Sequence, residues 1–196
     1  MARVRPPVRP LAPLLPFSSL PWERFEGFCE DFISKLPGVK ECHRYGTGGS
    51  RQHGIDMFAD MTNGRRWAFQ CKRWPKFTRT DAKKTMKKTT YVADRYFILV
   101  SCKVGSHVRD LCRKNRKWDI WDGQDISRKV REYDIPTAKR LVTDYFGPPW
   151  RKDFLGFGAA TSFSNSVDYF HPLLDPKKLY NHTWNLVGRE NHLAQI

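Results

Sequence analysis

Two short segments with alternating apolar residues, joined by a Thr-Asn-Gly sequence, constrain the fold more strongly than any other part of the chain. Residues 55–61 and 66–71 each place an apolar side chain at every second position, which is typical of strands that bury one face. Asn63-Gly64 is a strong turn signal between them. We therefore predict an antiparallel β-hairpin.

The register of this hairpin depends on the length of its loop. A strict two-residue loop at Asn63-Gly64 would place Asp56 opposite Cys71, with the two apolar sets on different faces. If both apolar sets face the same way, Met57 lies opposite Phe69. Burial of both sets favours the second register, and we predict a three-residue loop or a bulge at the turn.

This register brings three polar side chains to one face of the hairpin. Asp56 lies opposite Gln70, and Lys72 follows two residues later on the same face. Carboxylate and amide oxygens are ligands that Mg²⁺ takes, and the Cys71 main-chain carbonyl would add a third oxygen. Lys72 would then position or deprotonate the attacking water and offset transition-state charge. The alternative is an ordinary exposed face with an Asp-Lys pair that contributes about 0.2 to 1 kcal/mol to stability.

The patterns on both sides of the hairpin indicate an α/β domain. Before it, apolar spacing predicts a helix over residues 22–36, which starts after Pro21, and a short strand over 39–46. After it come a helix from Thr80, a buried strand over 95–101, a short helix over 106–114, a strand over 117–121 and two helices over 122–147. This order predicts one mixed sheet.

Positive charge is concentrated beside the hairpin. The chain has 35 Lys and Arg residues against 20 Asp and Glu, a formal net charge of +15. Eleven of the basic residues lie between Arg65 and Arg95, where the acidic residues are Asp81 and Asp94. Such a field favours nucleic acid, because cations that neutralise phosphates release condensed counterions. The alternative is a solvated basic surface.

The first twenty residues and the cysteines indicate where the protein works. Prolines at positions 6, 7, 10, 13 and 16 interrupt the apolar core that a signal peptide needs, so we expect residues 1–20 to form an extended Pro-rich arm. Five cysteines without a Cys-x-x-Cys pair indicate neither a disulfide framework nor a zinc module, which favours the reducing cytoplasm. No apolar window is long enough to span a membrane.

The polar residues of the hairpin also resemble a known signature. Gly54-Ile55-Asp56 and Gln70-Cys71-Lys72 are similar to the G-[IV]-D and Q-x-K elements of PD-(D/E)xK nucleases, in the Mrr-like branch where Gln replaces the second acidic residue. Arg24-Phe25-Glu26 resembles the Phe-Glu of that family's first helix, and residues 46–56 resemble its Gly-rich loop. The resemblance covers residues 22–101 and implies an α/β fold with a restriction-endonuclease-like core, a central mixed sheet flanked by helices in the order αβββαβ.

The resemblance also implies a site and a substrate. The implied catalytic set is Glu26, Asp56, Gln70 and Lys72. Of these, Asp56, Gln70 and Glu26 would bind Mg²⁺, with Mn²⁺ as an alternative, and Glu23 and Glu30 compete with Glu26 on the first helix. The residues expected to hold DNA phosphates are Arg51, Gln52, Lys76, Lys83 and Lys87. We expect an endonuclease that cuts double-stranded DNA with little sequence preference. The alternatives are a non-catalytic nucleic-acid-binding or oligomerisation module and an RNA-directed nuclease.

The end of the chain carries a second resemblance. Residues 186–190 (Leu-Val-Gly-Arg-Glu) with Leu193 are similar to the lead-in of the ATPase module of STAND NTPases, and the alternative is an unremarkable basic tail. The resemblance implies the effector domain of an antiviral protein of the Avs type, truncated at Ile196. The absent ATPase and sensor would recognise a phage protein and assemble a homo-oligomer. The expected organisation is an arm at 1–20, the nuclease domain at 21–147, an irregular linker at 148–185 and the start of the ATPase module at 186–196.

Overall fold

The hairpin forms with the register that its apolar residues require. In the computed structural model of the chain, Met57 pairs with Phe69 across the two antiparallel strands. The Met61 N–H donates to the Arg65 carbonyl at 2.9 Å, so the loop between them contains three residues. Gly64 closes this loop at φ +78°, a left-handed conformation that costs glycine little. The predicted three-residue loop is therefore confirmed.

The structure describes residues 12–46 and 53–156, and these form one five-stranded mixed sheet with flanking helices. The strands are β1 (Val39–Arg44), β2 (Met57–Met61), β3 (Arg66–Lys72), β4 (Arg95–Val100) and β5 (Trp118–Trp121). They lie in the sheet in sequential order. The pairs β1–β2 and β2–β3 are antiparallel, and the pairs β3–β4 and β4–β5 are parallel. The predicted α/β class, with a mixed sheet in a restriction-endonuclease-like arrangement, is confirmed.

Helices cover both faces of the sheet. They are α1 (Trp22–Ser34), α2 (Arg79–Lys88), α3 (Ser106–Lys114), α4 (Gly123–Glu132), α5 (Ile135–Phe146) and α6 (Pro148–Leu155), preceded by a 3₁₀ turn (Phe17–Ser19). Alternate residues of β4 belong to different cores. Phe97 and Leu99 pack in the large core with α1, α4, α5 and α6, whereas Ile98 and Val100 pack with α2 and α3. Burial on both faces explains why β4 is continuously apolar.

Local sequence explains where the helices begin. Thr78 and Asp81 form a reciprocal capping box at the start of α2, and Asp122 and Asp125 form another at the start of α4. In α1 the buried side chains include Phe25, and every large apolar side chain that follows it in the helix is also buried. Trp22, which the apolar spacing placed on the same stripe, is instead 59% exposed at the first position of the helix.

The structure differs from expectation at both ends of the nuclease domain. Residues 12–20 were expected within an extended arm, but Leu15, Phe17 and Leu20 are buried in the large core. The Leu15 N–H also donates to the Ser127 hydroxyl at 3.0 Å. Residues 148–155 were expected to be irregular, yet they form α6, whose Phe154 is fully buried. Burial of large apolar side chains orders both segments.

Other expectations lie outside the described residues. These are the rest of the arm (1–11), the linker beyond residue 156 and the segment from Leu186 that resembles an ATPase lead-in. Among helices of the described ranges, none has the length and apolar character needed to cross a bilayer.

Candidate active site

Asp56 lies where β2 and β3 separate. The paired ladder ends at Met57 and Phe69, and β3 continues for three more residues beside β4. The Asp56 N–H donates to the Phe69 carbonyl at 2.9 Å, and its carboxylate accepts the Cys71 N–H at 2.7 Å. The carboxylate thus occupies the place where β2 would otherwise continue to pair with β3.

Close packing explains the glycine of the Gly54-Ile55-Asp56 motif. Gly54 has φ +77°, and a Cβ at this position would lie 2.7 Å from the Thr89 Cα and 2.8 Å from the Lys88 carbonyl oxygen. Only glycine fits this approach to the end of α2 without a backbone shift. The next residue, Ile55, is buried, so the motif fixes the backbone on which Asp56 sits.

Gln70 and Lys72 occupy alternate positions at the end of β3. Their neighbours in the strand, Phe69 and Cys71, pack into the large core, so Gln70 and Lys72 belong to the other face. The Gln70 side-chain oxygen Oε1 is buried and accepts no hydrogen bond within the described part of the chain. A buried amide oxygen without a partner is unfavourable unless a ligand satisfies it.

Glu26 approaches the same edge from α1. A cavity of about 230 Å³ is lined by Glu26 together with Lys72, and the charges of Asp56 and Lys72 both act on the Glu26 carboxyl. Of the two competing residues, Glu30 is bound to the Arg44 guanidinium, and Glu23 is an exposed residue of the first turn. Glu26 is therefore the α1 carboxylate that the fold places beside Lys72.

Burial opposes ionisation of both carboxyl groups. Burial raises the pKa of Asp56. The charge of Lys72 and the hydrogen bond from the Cys71 N–H lower this pKa, but burial outweighs them. Burial also raises the pKa of Glu26, and the negative charge of Asp56 raises it further. A divalent cation bound to both carboxylates would offset the cost of their burial and their mutual repulsion, and the Gln70 amide oxygen is a ligand of the kind such a cation takes.

The donor set determines which metals fit. No group of three or more His, Cys, Asp or Glu side chains within the described ranges is placed to hold a metal ion. The side-chain oxygens that could serve a metal at this edge are those of Asp56, Glu26 and Gln70. An all-oxygen set of this kind suits Mg²⁺ or Mn²⁺ better than zinc or copper.

Asp56→Asn is expected to stabilise the metal-free protein at neutral pH. Burial raises the pKa of Asp56, so the folded state binds this proton more tightly than the unfolded state. In EDTA, the wild-type free energy of unfolding should fall as pH rises from about 4, the ordinary range of the group, through the raised pKa. Asparagine keeps an oxygen for the Cys71 N–H but carries no charge. Urea unfolding at a series of pH values measures both effects, and a variant less stable than wild type throughout would contradict this account.

Arg73 links the site to the chain before α1. Its Nε donates to the Leu20 carbonyl at 2.8 Å, and its Nη2 donates to the Ser18 carbonyl at 2.6 Å. Since Arg73 directly follows Lys72, these bonds fix the start of α1 relative to the end of β3. Sequence reasoning missed this residue, and its only signal was a cation directly after the Gln-Cys-Lys triplet.

The predicted phosphate-binding residues divide into two groups. Lys76, Lys83 and Lys87 are exposed, and the last two lie one helical turn apart on α2. Arg51 and Gln52 lie outside the described residues. Two exposed tryptophans at the rim of the cavity, Trp22 and Trp74, were also missed, because their apolar character placed them in the core or left them without a role.

Comparison with known proteins identifies a family for most of the described residues. Residues 17–130 match the Mrr_cat family, described as restriction endonuclease. The comparisons with curated proteins and with solved structures each find no match. The matched segment covers more than half of the chain and contains Glu26, Asp56, Gln70 and Lys72. The chain therefore belongs to the Mrr_cat restriction endonuclease family.

Proposed function

We propose that this chain is a divalent-metal-dependent endonuclease that hydrolyses phosphodiester bonds of double-stranded DNA with little sequence preference. The observation that carries the proposal is that two half-buried carboxyl groups, from Asp56 and Glu26, lie within electrostatic reach of each other and of Lys72, on the strand end that also holds the unpartnered oxygen of Gln70. In a protein of the restriction endonuclease family, this arrangement supports hydrolysis rather than binding alone.

Asp56, Glu26 and Gln70 would hold the metal, together with the Cys71 main-chain carbonyl. When bound, Mg²⁺ or Mn²⁺ supplies a more acidic water and stabilises charge on the phosphate oxygens. The protein would contribute Lys72, whose ammonium group lies on the same cavity as Glu26. Lys72 would hold or deprotonate the attacking water and offset the developing negative charge.

Exposed cations near the site support a DNA substrate. Lys76 follows the end of β3, and Lys83 and Lys87 lie on the outer side of α2. Flexible lysines contact phosphates and carry little information about base sequence. The proposed enzyme therefore binds the sugar-phosphate backbone of DNA, and its affinity for DNA should fall steeply as the salt concentration rises.

The biological role proposed here is supported by the resemblance at residues 186–193. We propose that the nuclease is the effector part of an antiphage protein of the STAND type, working in the cytoplasm. A sensor for a phage protein and an ATPase would assemble it into a homo-oligomer, which would bring two sites to opposite DNA strands.

Plasmid cleavage tests the proposed activity. Purified protein, over a range of concentrations, is incubated with supercoiled plasmid and Mg²⁺, Mn²⁺ or EDTA. A folded RNA of similar length is tested in parallel. We expect nicked and linear plasmid with either metal, intact plasmid in EDTA and intact RNA.

The double variant Asp56→Ala and Lys72→Ala should leave the plasmid intact. Equal cutting by this variant would contradict the site. A folded wild-type protein that binds DNA in a salt-sensitive way, but gives no metal-dependent product at any protein concentration, would instead be a non-catalytic module. Cleavage of RNA alone would identify the RNA-directed alternative.

A further inference from the structure

Two tryptophans stand exposed at the rim of the proposed catalytic cavity. Trp22 is 59% exposed and Trp74 is 41% exposed, and both line the cavity that contains Glu26 and Lys72. Tryptophan is highly buried on average, so two exposed indole rings at one small cavity are unusual. The exposed faces of these two indole rings do not pack in the hydrophobic core.

The surrounding contacts hold Trp74 in place. Its ring centroid lies 5.8 Å from that of the buried Phe77, and the Ser101 hydroxyl donates to the Trp74 carbonyl at 3.1 Å. The ring is therefore supported on one side while a large part of it remains open to solvent. Such a ring loses little further conformational freedom when a ligand stacks on it.

The backbone that leads to Trp22 is bound by the residue before Trp74. Trp22 is the first residue of α1, and the Arg73 guanidinium binds the carbonyls of Leu20 and Ser18 just before it. Because Arg73 lies between Lys72 and Trp74 in the chain, the two tryptophans and the proposed catalytic lysine are tied to one short segment of backbone.

The position of Lys72 connects the rings to the reacting phosphate. Its Nζ lies 6.0 Å from the centre of the Trp74 ring, within the range of a cation-π contact. A phosphate beside Lys72 would therefore carry a sugar and a base within reach of Trp74. At about 230 Å³ the cavity is smaller than the roughly 300 Å³ at which ligand pockets for drug-sized molecules begin, so it suits a group smaller than a whole nucleotide, such as one base.

We propose that Trp22 and Trp74 form a stacking subsite for one unpaired nucleobase next to the scissile phosphate. This inference rests on the proposed function and adds a preference to it. A base in perfect duplex must leave its stack to reach the rings, whereas a mismatched or single-stranded base reaches them at lower free-energy cost. The enzyme therefore cuts duplex DNA fastest where a base is unpaired, and it does so without reading the sequence.

Single-turnover cleavage of three DNA molecules tests the subsite. They share one sequence and are a perfect duplex, a duplex with one central mismatch and a single strand, each with Mg²⁺. Wild-type protein should cut near the mismatch about tenfold faster than it cuts the perfect duplex at subsaturating protein. Trp74→Ala and Trp22→Ala should each reduce this preference, mainly by raising the protein concentration needed for half-maximal rate.

Two controls separate stacking from loss of structure. Trp74→Phe keeps an aromatic ring and should retain most of the preference. Ile135→Ala removes an exposed apolar side chain at the start of α5 and should behave as wild type on all three substrates. A second readout uses 2-aminopurine at the mismatch, bound by Asp56→Asn to prevent cutting. Its fluorescence should be quenched, and further replacement of Trp74 by alanine should reverse the quenching.

Three results would overturn the inference. The first is wild-type cleavage at equal rates on all three substrates. The second is an unchanged mismatch preference in both alanine variants. The third is an equal loss of rate on every substrate together with a lower oligomer mass by light scattering, which would assign the tryptophans to an interface between copies. Absence of any metal-dependent cleavage by wild type would count against the proposed function instead, and a quenching signal would still test the subsite.

Discussion

Replacement of Lys72 by alanine is expected to lower the single-turnover rate of DNA cleavage at saturating Mg²⁺ by about 10²- to 10³-fold, the usual loss when one group that stabilises transition-state charge is removed. Lys72 shares its cavity with Glu26, and its charge lowers the pKa of both Asp56 and Glu26. Its loss should therefore also move the acid limb of the rate profile to higher pH, because both carboxyls then deprotonate less readily.

Matched variants distinguish this role from packing. Lys72→Met keeps an unbranched side chain without the charge and should be as slow as Lys72→Ala. Lys72→Arg keeps the charge, but guanidinium is not a proton acceptor at this pH, so it should restore substrate binding better than rate. Thermal unfolding of each variant shows whether it is folded. A wild-type rate in folded Lys72→Ala would contradict the proposed role.

Replacement of Asp122 by alanine should lower the free energy of unfolding by about 3 to 5 kcal/mol, the loss typical of breaking a buried ion pair. Its fully buried carboxylate binds the Arg109 guanidinium at 2.6 Å and accepts the main-chain N–H of Val104 at 3.0 Å. It also accepts the Gln124 and Asp125 N–H groups at the start of α4. Alanine would leave a guanidinium and several N–H groups without this acceptor.

Asp122→Asn provides the control for charge. Asparagine is a good N-cap residue and keeps an acceptor for the α4 N–H groups, so it should lose less stability than alanine. Burial alone would raise the pKa of Asp122, but the N–H groups of Val104 and Asp125, with Arg109, outweigh it and lower the pKa. Wild-type stability from this group is thus present above the ordinary aspartate pKa and lost as pH falls through the lowered value. Urea unfolding measures both effects, and a loss below about 1 kcal/mol in Asp122→Ala would contradict the account.

The hairpin shows how far sequence reasoning can reach. Because side chains alternate between the two faces of a strand, the apolar residues of 55–61 and 66–71 could be assigned to one face. Burial of that face then required a three-residue loop. The structure has that loop, with Met57 opposite Phe69. The same reasoning placed Asp56 opposite Gln70, but the ladder ends one residue earlier, and the Asp56 carboxylate binds the Cys71 N–H. The alternation of apolar and polar residues along a strand cannot predict where two paired strands separate.

Tertiary contacts explain what the sequence did not predict. The prolines before α1 suggested an extended arm, yet Phe17 and Leu20 are buried, and Arg73 binds this segment from more than fifty residues away. Trp22 fits the apolar stripe of α1 by spacing, but its position at the first turn leaves it beside a cavity. Both outcomes depend on which element lies opposite, and helical periodicity carries no information about that.

The chemistry of the site was partly visible in the sequence. Residue types and register identified Asp56, Gln70 and Lys72 as a group, whereas Glu26 came from the resemblance and had to compete with Glu23 and Glu30. In the structure Glu26 lines the cavity, whereas Glu30 forms an ion pair with Arg44. The roles of these residues stay predictions until they are measured.

The most direct test of the metal site is the Mg²⁺ concentration that gives half of the maximal cleavage rate in wild type, Gln70→Glu and Gln70→Leu. Gln70 presents a buried oxygen with no hydrogen-bond donor among the described residues, and we assign that oxygen to the metal. A carboxylate at this position adds a charged ligand and should lower the half-maximal concentration by about tenfold. Leucine removes the ligand and should raise it or abolish cleavage. Equal half-maximal concentrations in all three folded proteins would contradict the metal site proposed here.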